Sequence, residues 1–228
     1  MNLPAGRHLG AAVAFLLTLG SAAQAQVGPG TQWTKDGYGY FQVRQDEIVE
    51  LDARQAGKAR TVLSKQQLTP QGQTAPLRVR RFALSDDGKL VLLNTNTKKV
   101  WRYDTRGDYW VYNITANKLT QLGKGRPESS LMFAKFSPDG SKVAYVSEHN
   151  LYVENLADNR ITPLTSDGTD KLINGTFDWV YEEELDCRDG FRWSPDGQRL
   201  AYWQLDANKT RNYLMLNTTD QLYPFTVP

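Results

Sequence analysis

The sequence is short of several features that define common protein classes. Its 228 residues include a single cysteine, Cys187, so no disulfide can form within the chain and the fold must be held by its core. Acidic and basic residues nearly balance, with 25 Asp+Glu against 27 Lys+Arg. The resulting formal net charge of +2 offers no concentrated basic surface, and we therefore expect no nucleic-acid partner.

The first 25 residues differ from the rest of the chain. Arg7 and His8 precede a short apolar run at 11–19, and Ala23-Gln-Ala25 follows it. A positive start, a short apolar stretch and an Ala-x-Ala site are typical of a secretory signal peptide. We predict that residues 1–25 are removed and that the mature protein is secreted or periplasmic, without a membrane segment. A retained anchor is the alternative, but the apolar run is too short to span a bilayer.

A turn motif, Ser-x-Asp-Gly, recurs at residues 85–88, 137–140 and 194–197. Each copy precedes a β-type apolar run, and its Asp and Gly are suited to a tight turn. A period near 50 residues with alternating apolar and polar segments is typical of a four-stranded β-propeller blade. We predict an all-β chain with a linker at 26–36 and an incomplete propeller of about four blades at 37–228. A β-sandwich is the alternative, although it needs no repeated turn.

Two insertions interrupt this repeat. The first adds ten residues between two strands and includes Lys99-Val-Trp-Arg102. The second adds fifteen residues before the next blade and includes the segment 178–185. Insertions in repeat proteins tend to line the binding face, so we expect function at these two places.

The second insertion carries the acidic stretch Asp178-Trp-Val-Tyr-Glu-Glu-Glu-Leu185. It predicts one or two helical turns with Asp178 as the N-cap. Three adjacent carboxylates repel one another, and two of them could converge on a small cation such as a primary ammonium. The residues alone leave open a solvated acidic turn, a glycosidase acid–base pair and a hard-metal site.

This acidic stretch, followed by the turn at 193–197, closely resembles the dipeptidyl peptidase IV family of prolyl oligopeptidase-type serine peptidases, and the likeness extends over 37–228. The resemblance implies that a short helix projects from the propeller into the substrate cavity. It also implies that Glu183 and Glu184 bind the free α-ammonium group of a peptide, with Glu182 less engaged. Residues 101–113 resemble the family's Trp-Arg segment, which implies that Arg102 holds a substrate carbonyl and orients the glutamates. From the residues alone, Arg102 could instead form a surface ion pair.

The resemblance further implies an eight-bladed propeller followed by an α/β-hydrolase domain with a Ser-Asp-His triad. The implied activity is release of N-terminal dipeptides with Pro or Ala second, without a cofactor or metal ion. This chain has no Gly-x-Ser-x-Gly nucleophile motif, so we expect no catalytic residue in it and no activity in isolation. The implied partners are a peptide with a free N-terminus and the hydrolase domain that this chain lacks. The resemblance is also compatible with a homodimer of the intact enzyme. The alternative function is a non-catalytic periplasmic propeller, which would not explain the two insertions.

Overall fold

The computed structural model describes residues 31–55, 57–216 and 219, together with the backbone of 224–227. The described residues form eighteen strands and one short helix. The predicted signal peptide at 1–25 and the first part of the predicted linker, 26–30, lie outside them.

The first blade is a four-stranded antiparallel meander. Its strands are β1 (Thr31–Trp33), β2 (Gly39–Arg44), β3 (Glu47–Asp52) and β4 (Ala59–Leu63). Strand β1 lies within the stretch 26–36 that the sequence analysis assigns to a linker. It nevertheless pairs with β2, because Trp33 packs on Tyr40 with ring centroids 5.4 Å apart and so gives the short edge strand a partner. The first sheet therefore begins before residue 37.

The second and third blades repeat the same meander. The second comprises β5 (Arg81–Leu84), β6 (Leu90–Val100), β7 (Tyr103–Asn113) and β8 (Lys118–Gln121). The third comprises β9 (Leu131–Phe136), β10 (Lys142–Ser147), β11 (Asn150–Asn155) and β12 (Ile161–Pro163). The two sheets are joined where β7 pairs with β9, with Gly107 opposite Leu131.

The last part of the chain is built from short pairs of strands around the helix. Its elements are β13 (Leu172–Asn174), α1 (Trp179–Leu185), β14 (Phe191–Trp193), β15 (Leu200–Tyr202), β16 (Gln204–Asp206), β17 (Tyr213–Leu216) and β18 (Pro224–Val227). Strand β13 pairs with β16, β14 with β15, and β17 with β18. The prediction of an all-β partial propeller with a short inserted helix is confirmed.

The three Ser-x-Asp-Gly turns share one geometry. In the first, the hydroxyl of Ser85 donates to Asp87 (2.7 Å) and accepts from the N–H of Leu90 (3.0 Å). The glycines of the three copies have φ between 66° and 70°, which a side chain would disfavour. The Ser85 hydroxyl, with the backbone N–H of Lys89, lowers the pKa of Asp87 to about 2. The repeated motif is therefore a structural turn that leads into β6, β10 and β15.

The core lies between neighbouring blades. Val91 and Leu93 belong to a buried cluster with Ile48 of the first blade. Leu92, between them, belongs instead to a cluster with Val143 of the third blade. Successive side chains of a strand point to opposite faces of the sheet, so β6 contributes to the core on both faces. This explains why the run 90–93 is continuously apolar rather than alternating.

Candidate functional site

The first insertion lengthens a hairpin instead of forming a separate element. Strands β6 and β7 extend to a two-residue tip at Trp101-Arg102, where Val100 lies opposite Tyr103. Trp101 has a φ of 54°, the left-handed conformation that closes the tip. The extended part of β7 also pairs with β9, so the hairpin is supported by the third blade.

A polar network holds the middle of this hairpin. The side-chain amide of Asn96 donates to Asp108 (2.8 Å) and to Glu128 (2.6 Å). The backbone N–H of Ser129 donates to Asp108 (2.7 Å), and its hydroxyl donates to the carbonyl of Asn96 (2.7 Å). Because Glu128 and Ser129 precede the third blade, these bonds tie the hairpin to a neighbouring element.

The second insertion forms helix α1, capped at both ends. At the first end, the Asp178 carboxylate accepts from the N–H of Tyr181 (3.1 Å), as predicted for an N-cap. At the other, Asp186 adopts the left-handed conformation with φ 54°, and the N–H of Cys187 donates to the Tyr181 carbonyl (3.0 Å). The ring of Phe177 stacks on that of Tyr181, with centroids 5.4 Å apart. These contacts orient a helix of only seven residues.

The three glutamates of α1 occupy different environments. Glu182 is buried, the side chain of Glu183 is 8% exposed, and Glu184 is exposed. Neighbouring helical positions point about 100° apart, which accounts for the difference. The side chain of Glu184 takes part in no ion pair or hydrogen bond with other described residues. Glu183 is therefore held against the protein, whereas the carboxylate of Glu184 is open to solvent.

The two insertions meet at Glu183. Its Oε2 atom lies 2.7 Å from Nε of Arg102, whose side chain is 75% exposed. The structure thus brings together two of the three site residues proposed from sequence, across 81 positions of the chain. Glu183 has its other oxygen, Oε1, buried without a hydrogen-bond partner among the described residues. A buried acceptor without a donor costs free energy, and a ligand carrying N–H groups would satisfy it.

The electrostatics of α1 are set by burial and by two arginines. Burial raises the pKa of the Glu182 carboxyl, Arg188 opposes this shift, and Glu183 adds to it. Glu182 thus has Arg188 near it, and Glu183 has Arg102, and both arginines lie outside the helix. Sequence reasoning anticipated a cationic partner for the acidic run but did not identify Arg188, which carries no motif of its own.

A cavity of about 1050 Å³ lies beside these residues. Its walls come from β5, β9 and β14, from Tyr103 of the hairpin, and from the segment 186–189 that follows α1. Lys135 reaches it from β9 and donates to Asp189 (2.5 Å). Burial lowers the pKa of Lys135 to about 8, although the charge of Asp189 opposes the shift. Sequence reasoning missed this ion pair because its members are far apart in the chain.

The described ranges contain neither a metal-binding cluster nor a membrane-spanning helix. No group of three or more His, Cys, Asp or Glu side chains in them is arranged to hold a metal ion. None of the helical segments that the structure describes has the length and apolar character of a membrane span.

Several known proteins resemble this chain. The family model for the dipeptidyl peptidase IV (DPP IV) N-terminal region matches residues 85–227, more than half of the chain. A probable dipeptidyl-aminopeptidase B of Emericella nidulans is 33% identical over 153 residues, which cover 66% of this chain and 17% of that protein. The inactive dipeptidyl peptidase 10 of Mus musculus is 29% identical over 199 residues, covering 86% of this chain and 24% of that protein.

A solved structure gives the same result. The crystal structure of Porphyromonas gingivalis dipeptidyl peptidase 4 matches with a TM-score of 0.74 and 27% identity, over 89% of this chain and 28% of that one. The chain therefore spans between 17% and 28% of the length of these three proteins.

Proposed function

Because the chain belongs to the dipeptidyl peptidase IV family, whose N-terminal region it carries, we propose that it binds the free amino terminus of a peptide substrate for a serine-type dipeptidyl peptidase. The observation that carries this proposal is the ion pair between Arg102 and Glu183, each on an insertion that the blade repeat does not require. Glu183 and Glu184 would bind the α-ammonium group, and Arg102 would bind the carbonyl oxygen of the first residue.

The chemistry of these side chains suits an amino terminus. A primary ammonium has three N–H donors, and each charge-assisted bond to a carboxylate contributes about 1.5–3 kcal/mol. Glu183 offers an oxygen that has no partner among the described residues, and Glu184 offers an exposed carboxylate. The Arg102 guanidinium is largely exposed and can donate to a carbonyl while its Nε remains against Glu183. The ammonium group and the carbonyl of the first residue would thus be bound together.

Fixing the amino terminus would determine which peptide bond is cleaved. The distance from the glutamates to the nucleophile sets how many residues fit between them, which favours release of a dipeptide. The proposed nucleophile is the serine of a hydrolase domain in the intact enzyme, acting by acyl transfer. A preference for Pro or Ala at the second position, and a secreted or periplasmic location after removal of residues 1–25, belong to the same proposal.

The decisive experiment is Glu183→Gln in the full-length peptidase. Glutamine keeps the shape of the side chain but removes the charge that binds an ammonium. We expect kcat/KM on a dipeptide substrate to fall by about ten- to a hundredfold, which corresponds to losing one charge-assisted bond. N-acetylated substrates should be poor for the wild-type enzyme, because they lack the cation.

Glu148→Gln is the matched control. Glu148 is also a glutamate paired with an arginine, Arg126 (3.4 Å), but it lies in the turn between β10 and β11. This variant should keep the wild-type kcat/KM. Wild-type activity in Glu183→Gln would refute the proposed role of the glutamate.

A second candidate is a non-catalytic propeller that binds peptides through the same residues. The observation in its favour is that a relative covering 86% of this chain is named an inactive dipeptidyl peptidase. The two candidates differ in whether a dipeptide is released. Incubating the full-length protein with a peptide that carries a free N-terminus, and following both binding by calorimetry and products by mass spectrometry, separates them. Binding without a released dipeptide would favour the non-catalytic protein.

A further inference from the structure

Arg188 connects the two insertions at a second point. It follows α1 by three residues, and its side chain is 22% exposed. The guanidinium carbon lies 4.0 Å from the ring centroid of Tyr103, the residue next to Arg102 at the hairpin tip. On its other side, Nη2 of Arg188 donates to Asp186 (2.5 Å), the residue that caps α1. Arg188 therefore lies between the hairpin and the end of the acidic helix.

The contacts of Arg188 and Arg102 run in opposite directions between the same two elements. Arg102 reaches from the hairpin to Glu183 on the helix, and Arg188 reaches from the helix end to the ring of Tyr103. Two such connections fix both the separation and the relative rotation of the elements better than one. A planar guanidinium is suited to this role, because it can stack on a ring and donate in its own plane at the same time.

Arg188 also faces the acidic run electrostatically. Its charge lowers the pKa of Glu182, which burial and Glu183 raise. Its Nη1 atom is buried without a hydrogen-bond partner among the described residues, as is Oε1 of Glu182. Arg188 thus offsets part of the repulsion among the carboxylates that α1 holds close together.

We propose that Arg188 is a positioning residue for the amino-terminus site, which holds the hairpin tip and α1 together so that Arg102, Glu183 and Glu184 keep a fixed geometry. This inference rests on the proposed function, and it extends the site to a residue that acts through its contacts with the hairpin and the end of α1. It predicts that loss of Arg188 weakens binding of the amino terminus while the reaction at the distant nucleophile is less affected.

The test uses the full-length peptidase with three variants. Arg188→Met removes both the charge and the stacking, Arg188→Lys keeps only the charge, and Tyr103→Leu removes only the ring. We expect Arg188→Met to raise KM for a free-amine dipeptide substrate by about tenfold with a smaller change in kcat, the pattern of lost binding. Arg188→Lys should show a smaller rise in KM than Arg188→Met. If both residues act through one contact, the double variant with Tyr103→Leu should be no worse than Arg188→Met alone.

Arg54→Met provides a closely matched control. Arg54 also pairs with an aspartate two residues earlier, Asp52 (2.8 Å), and also stacks on a tyrosine, Tyr38 (4.3 Å), but it lies in the first blade. It should leave KM and kcat at their wild-type values. The melting temperature of every variant is measured alongside the kinetics.

The outcomes distinguish the inference from the proposed function. If Glu183→Gln is impaired while Arg188→Met keeps the wild-type KM, the positioning role is wrong and the amino-terminus site stands. If Glu183→Gln behaves as the wild type, the proposed function itself fails. Should Arg188→Met not fold, an unchanged KM in both Arg188→Lys and Tyr103→Leu would overturn the inference. A lower melting temperature with an unchanged KM would overturn it as well, since that indicates a purely structural role.

Discussion

Asp189 connects the third blade to β14 beside the site, and its replacement should destabilise the chain. Its side chain is 11% exposed and lies 2.5 Å from Nζ of Lys135 and 2.9 Å from Nη1 of Arg192. Lys135 belongs to β9 of the third blade, whereas Asp189 and Arg192 flank the start of β14. One carboxylate therefore serves two cations from different sheets.

The expected cost of Asp189→Asn follows from these environments. Removing one partner of a buried ion pair costs about 3–5 kcal/mol, because the other charge stays buried. The Lys135 and Arg192 side chains are 24% and 41% exposed, so solvent screening reduces the cost to roughly 2 kcal/mol. For a chain of this size that corresponds to a melting temperature lower by about 4–8 °C.

Lys135→Met is the informative comparison. It removes the ammonium that burial disfavours and leaves Asp189 paired with Arg192, so we expect a cost below about 1 kcal/mol. Thermal unfolding of the full chain, followed by circular dichroism, measures both variants. Equal destabilisation by Asp189→Asn and Lys135→Met would refute the argument that the Asp189 carboxylate contributes more to stability than the Lys135 ammonium.

Lys135 should also make the stability of the folded chain depend on pH. Its pKa is about 8 in the folded chain, below the ordinary value of 10.5, so folding favours the neutral amine. Between these two values the unfolded chain binds more protons than the folded one, and the contribution of Lys135 to stability rises with pH. Lys135→Met should lose this rise. An identical pH profile of melting temperature from pH 7 to 10 in the variant and the wild type would contradict the assignment.

Two further substitutions test how the site is held. Asp178→Ala removes the N-cap of α1, which should lower the stability of the chain by about 1 kcal/mol and raise KM in the full-length peptidase. Asp178→Ser keeps a capping oxygen and should leave both stability and KM near their wild-type values. Equal kinetics in the two variants would count against a role for the cap. Gly107→Ala places a Cβ 2.7 Å from the Thr95 carbonyl oxygen where β7 meets β9, so overpacking should cost roughly 1–3 kcal/mol. An unchanged melting temperature would show that the junction can adjust.

Local features of the fold could be predicted from sequence because they depend on neighbouring residues. The Ser-x-Asp-Gly turns and the N-cap at Asp178 both follow from interactions within a few positions. The acidic stretch was recognisable for the same reason. The linker boundary was less well defined, because pairing of β1 depends on Tyr40 in the next strand as well as on residues 31–33.

The blade repeat, its turns and the two insertions that interrupt it could be read from the amino-acid sequence, because each lies in a contiguous run of residues. Three contacts became visible only in the folded chain: Glu183, and not Glu184, lies against Arg102, Arg188 stacks on Tyr103, and Asp189 is shared between β9 and β14. These contacts join residues that are tens of positions apart. Their geometry depends on how the blades pack and how the hairpin twists, and no local pattern encodes it.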